Sequence, residues 1–169
     1  MKNLILGILV GTWLISCNDT ESIRNDFTGN ETVYALDQGS AYNVSGTVII
    51  KEKVDGTAFI EVSLSGTEGG LEHPTHLHMG NISTPGADVA ALLNPITGKT
   101  GRSETHLTQL ADESPISYSE LVNLNACIKV HLASSGPDRD IILAGGNIGM
   151  ATIPDVSGGR IGFGVCKSE

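Results

Sequence analysis

The feature that most constrains the fold of this chain is a series of short β-branched runs cut by glycine-bearing turns. Val44-Ser45-Gly46-Thr47-Val48-Ile49-Ile50 leads on to Lys53, and Val54-Asp55-Gly56 follows as a hairpin turn signal. Residues 57–66 then alternate, with Phe59, Glu61 and Ser63 on one face and Ile60, Val62 and Leu64 on the other. Residues 87–93 are apolar, and residues 94–104 read as a long polar loop containing Pro95 and two glycines. Residues 106–110, 126–132, 141–143 and 160–166 have strand composition, and residues 116–124 fit either a strand or a helical turn. Short strands, 21 glycines and no convincing amphipathic helix predict an all-β, antiparallel sandwich or barrel.

Into this pattern the chain inserts His73-Pro74-Thr75-His76-Leu77-His78, three of its five histidines. On a strand, His76 and His78 face the same side, ~7 Å apart from Cα to Cα, close enough to converge on one metal ion. On a helix they would diverge.

The N-terminus bears on compartment. One lysine precedes an apolar run over residues 4–15, and Leu14-Ile15-Ser16-Cys17 ends it. This is the layout of a secretory signal, too short to span a bilayer. Its ending resembles the bacterial lipobox, which implies lipidation at Cys17, a signal peptide over residues 1–16 and anchoring in the bacterial cell envelope, outside the cytoplasm. Residues 17–34 are polar and acidic without periodicity and read as a flexible tether, leaving residues 35–169 as one domain. With 19 acidic against 10 basic residues, the net charge of −9 argues against nucleic acid as a partner. Of the three cysteines, Cys127 and Cys166 remain for the domain, and two cysteines in an exported domain point to a disulfide.

The order of motifs resembles that of copper/zinc superoxide dismutases. The match runs through Val44-Ser45-Gly46-Thr47-Val48, the Asp55-Gly56 hairpin, Val62-Ser63-Leu64-Ser65-Gly66, Gly70, His76-Leu77-His78, Leu92-Leu93-Asn94-Pro95, Glu104-Thr105-His106-Leu107, Lys129-Val130-His131 and Ser157-Gly158-Gly159-Arg160-Ile161. The resemblance implies an eight-stranded Greek-key β-sandwich or barrel. It also implies copper ligation by His76, His78 and His131, with Arg160 as the residue guiding an anion to the metal. The departures matter as much. Leu92 stands where the family has its bridging histidine, reached through an Asn-Pro loop. Thr100 and Gln109 replace zinc ligands, and of that set only His106 remains. Pro74-Thr75 replaces a usual Gly-Phe, and Phe163 stands where the family has a cysteine. The expectation is one copper site with the zinc site lost, His73 and His106 being weaker candidates as further ligands. These losses weigh against enzymatic dismutation, the copper-only form of which is one alternative. Thr75-His76-Leu77-His78 and Ile128-Lys129-Val130-His131-Leu132-Ala133 also resemble chordin-type (CHRD) domains, which implies a non-catalytic surface-binding module as the other.

Overall fold

The structure is a computed structural model that describes residues 26–152. Eight antiparallel strands close into a barrel: β1 (Phe27–Gln38), β2 (Ser45–Lys53), β3 (Ala58–Ser65), β4 (Glu72–Met79), β5 (Val89–Thr97), β6 (Arg102–Leu107), β7 (Asn125–His131) and β8 (Ile142–Gly149). Their spatial order is β1-β2-β3-β6-β5-β4-β7-β8, so the chain crosses the barrel end from β3 to β4 and again from β6 to β7. The all-β antiparallel expectation is met. The lipobox, Arg160, Phe163 and Cys166 lie outside the described residues. Among the described residues, no helix is long and apolar enough to cross a membrane.

Alternation builds the interior. On β3, Ala58, Ile60, Val62 and Leu64 are buried while Phe59, Glu61 and Ser63 are partly open, as the period of two predicts. Val48 and Ile50 of β2, Leu77 of β4, Ile128 and Val130 of β7, and Ala144 and Ile148 of β8 complete one apolar core. Closure needs β8 to come close to β1, where Asp37 and Gln38 pair with Gly145 and Ala144. A Cβ on Gly146 would collide with the Ala35 carbonyl, so only glycine fits there.

Two sequence expectations are corrected. Residues 27–34, read as tether, belong to β1 and pair with β2 from Glu31↔Lys51 to Leu36↔Gly46, so the domain begins at least eight residues earlier, at Phe27 rather than 35. Most of this strand faces water, and of its residues only Leu36 is fully buried, which is why its period is faint. Residues 94–104, read as a long loop, are instead the end of β5, a tight turn at 98–101 and the start of β6. Pro95 is tolerated because β5 bulges there, its Asn94 and Pro95 lying between the pairs His73↔Ile96 and Thr75↔Leu93.

The ambiguous residues 116–124 form a single helical turn, α1 (Tyr118–Leu121), whose Tyr118 and Leu121 are buried against the core. Ser117 and Glu120 cap it reciprocally: the Ser117 N–H donates to Glu120 Oε2 at 2.8 Å and the Glu120 N–H to Ser117 Oγ at 3.3 Å. Ser117→Ala is expected to lower global stability by about 1 kcal/mol, read from the urea midpoint with an unchanged slope.

Candidate metal centre

The histidines lie on the outer face of the barrel. Register explains why: Leu77 and its neighbours Ile128 and Val130 point inward, so His76 and His78 of β4 and Cys127, Lys129 and His131 of β7 turn outward. His76 sits directly across from Lys129 and His78 from Cys127, which leaves His131 diagonal to His76. The His76 and His131 rings are 4.9 Å apart between centroids, His76 and His78 5.7 Å, and His78 and His131 6.3 Å.

An outer barrel face would ordinarily be wet. Here two connections fold over it, residues 80–88 between β4 and β5 and residues 132–141 between β7 and β8. The first is fastened by Ile82 N–H donating to Asn147 Oδ1 at 2.7 Å and by Met79 N–H donating to the Asp88 carbonyl at 3.0 Å. The second is held by Leu132 N–H donating to the Ile141 carbonyl at 2.9 Å. Beneath them His78 and His131 are buried and His76 is half-buried. Between the two connections remains a cleft of about 590 Å³, whose lining includes the three histidines, Asp88, Leu92 and Arg139.

The same covering segments orient the ligands. His78 Nδ1 lies 2.9 Å from the Ala87 carbonyl, and His131 Nδ1 lies 2.9 Å from the Arg139 carbonyl. A carbonyl oxygen only accepts, so both Nδ1 atoms carry the proton and donate, and both Nε2 atoms carry a lone pair. This outer-shell arrangement fixes tautomer and ring plane for metal ligation. His78 Nε2 is buried and has no hydrogen-bond partner. One ligand atom from each of His76, His78 and His131 lies within 4.8 Å of the others, a cluster that could hold a metal ion.

Electrostatics keep the set neutral. Burial, then the neighbouring His131 and His78, push the His76 imidazole down to about 4. Burial likewise lowers His78 and His131, against the opposing effect of their carbonyl partners and with help from the Lys129 ammonium. Neutral imidazoles offer lone pairs without first shedding a proton.

The structure brings His76, His78 and His131 together and leaves the weaker candidates apart. His73 is buried on β4 with Nδ1 donating to the Leu132 carbonyl at 3.1 Å, and His106 is exposed on β6 with Nε2 at 2.7 Å from Thr57 Oγ1. Neither belongs to the cluster, which is the one group of potential metal ligands found among the described residues. Leu92 lies within β5 directly opposite His76 and is 71% exposed at the cleft, so the segment expected as a loop is a strand. Cys127 is fully buried on β7. Two residues escaped the sequence reading: Arg139, whose carbonyl holds His131 and whose side chain lines the cleft, and Lys129, which is fully buried. Arg139 stands two residues ahead of an apolar strand start, a place where an arginine carries no pattern of its own.

No family model, curated protein or solved structure matches this chain.

Proposed function

We propose that this chain is a copper-binding domain, holding one copper ion through His76, His78 and His131 on a lipid-anchored, extracytoplasmic barrel of the copper/zinc superoxide dismutase type. The single observation that carries the reading is His78 Nε2, a buried lone pair without a hydrogen-bond partner. Leaving such an atom unsatisfied costs about 1–3 kcal/mol, and a bound metal removes that cost. A surface-binding module of the CHRD kind has no need of it. Two further oriented features support the site: a tautomer fixed by backbone carbonyls at His78 and His131, and a third imidazole beside them.

Three neutral imidazoles suit copper and zinc alike, and the preference for copper rests on the resemblance of the motif order. The strand order β1-β2-β3-β6-β5-β4-β7-β8 is compatible with the Greek-key connectivity that the resemblance implies. His76, His78 and His131 come from two adjacent strands on one side and would hold an ion beside the cleft that they line. Such an ion supplies Lewis acidity or a one-electron couple. With Leu92 in place of a bridging imidazole, storage or transfer of copper fits the site better than dismutation.

Protein purified without a polyhistidine tag, loaded with copper and desalted, is expected to retain one copper per chain by elemental analysis. Its Cu(II) electron paramagnetic resonance spectrum should carry nitrogen hyperfine structure. A desalted sample with no copper removes the proposal. Copper retained without nitrogen coupling would place it elsewhere and have the same consequence.

A further inference from the structure

We propose that His76 is the exchangeable ligand of the copper site: copper enters and leaves by making and breaking its bond to His76, while His78 and His131 stay oriented to hold it. This rests on the copper reading above and gives different roles to three ligands that their clustering alone makes equivalent.

The division follows from what covers each ring. The two connections over this face each give one backbone carbonyl to one histidine. Residues 80–88 hold His78 through Ala87, and residues 132–141 hold His131 through Arg139, both at 2.9 Å. His76 receives no such carbonyl. Its ring makes no hydrogen bond among the described residues, and it packs beside the other two rings, 4.9 Å from His131 and 5.7 Å from His78 between centroids. The residue directly across the strand pair from His76 is Leu92, which is 71% exposed and has no atom that accepts a hydrogen bond.

His76 is also open from two sides. It lines the cleft of about 590 Å³ together with His78 and His131. Alone of the three, it lines a second cleft of about 270 Å³ as well, which shares Pro74, His76, Leu92 and Ser134 with the first. A ligating imidazole ordinarily owes its orientation to a partner on its other ring nitrogen, a partner worth 10–100-fold in metal affinity. His78 and His131 have one and His76 lacks one, so the bond to His76 is the first to open. Exchange is then a plain substitution. The copper–nitrogen bond to His76 breaks as a bond to the incoming donor forms, and no electron is transferred. Were all three rings anchored alike, copper would leave only when a covering connection lifted.

The test follows copper release from the loaded full chain, mixed in a stopped-flow instrument with rising concentrations of bipyridine, an uncharged chelator. Release from wild type is expected to quicken in proportion to the chelator. Leu92→Gln sets a carbonyl oxygen beside the unanchored ring and should slow release about tenfold, the lower end of what an outer-shell partner is worth. Val89→Gln makes the same change across from His78, which is already anchored, and release should stay within about twofold of wild type. Leu92 and Val89 are both exposed, and far-ultraviolet circular dichroism checks that both variants fold. Release that does not depend on chelator concentration, or that Leu92→Gln leaves unchanged or slows no more than Val89→Gln does, overturns the inference and leaves the copper site standing. Should a variant not fold, the chelator dependence of wild type decides alone. A wild type that retains no copper removes the copper reading and this inference together.

Discussion

Replacing His76 and His131 together by alanine is expected to abolish tight copper binding while leaving a folded barrel. Loss of a mere outer-shell partner typically costs 10–100-fold in metal affinity, so loss of two of three ligands should cost on the order of a thousandfold or more. His78 alone then faces the cleft, and one imidazole does not make a site. The barrel should survive because both rings stand on its outer face, apart from the core that Leu77, Ile128 and Val130 build. Removing His131 also frees the Arg139 carbonyl that it holds at 2.9 Å, and the half-exposed connection there can turn that carbonyl to water. A stability loss of roughly 1–2 kcal/mol is expected from the bond and the buried ring. Competition titration gives the affinity and far-ultraviolet circular dichroism the fold. His73→Ala and His106→Ala serve as the contrast: their rings are engaged by Leu132 and Thr57, and copper affinity in both should stay within about threefold of wild type. Equal loss in all of these variants would mean that copper is held by scattered surface histidines.

The parts of this site that were legible in the sequence are those written in a period of two. His76-Leu77-His78 shows its face directly, and Ile128 and Val130 bracket Lys129 and His131 in the same way. What a period cannot supply is the cover. That the outer face of β4 and β7 is dry depends on residues 80–88 and 132–141 folding across it, and those turn-rich segments read only as connections. Lys129 therefore looks like an ordinary exposed strand lysine until its burial is seen. Leu92-Leu93-Asn94-Pro95 misled for a related reason: an Asn-Pro pair signals a turn, and here a bulge opposite Pro74 absorbs the missing N–H inside a strand. The start of β1 was lost because its polar residues face water, so its pairing with β2 leaves no apolar period to read. The Cys127–Cys166 pairing, Arg160 and the lipidation of Cys17 each involve positions outside the described residues, so they keep the standing of sequence expectations.

Acid should act on this protein in two steps that the neutral imidazoles separate. In the metal-free chain His76 is held at about 4 by burial and by the neighbouring rings, against about 6.5 for an unfolded histidine. Below pH ~6.5 the unfolded chain therefore binds a proton that the folded chain refuses. The resulting contribution to stability is whole above pH ~6.5, falls as the pH drops, and reaches its floor near pH 4. His78 and His131 are lowered too and act in the same direction, the three rings titrating as a set. For His76, a ring half-open to solvent, screening reduces the loss to roughly 1–2 kcal/mol. The metal-free urea midpoint should accordingly fall between about pH 7 and pH 4.5, and His76→Gln should flatten that fall. Copper binding follows the folded-state values instead: its affinity should decline at lower pH than the ~6.5 of an ordinary imidazole, because all three rings are shifted down. Because copper binds the folded form alone, loaded protein should also resist urea at pH ~5.5 better than metal-free protein does. Affinity that instead declines through pH 6.5 would mean that the metal is held by exposed histidines, outside the cleft between the two covering connections.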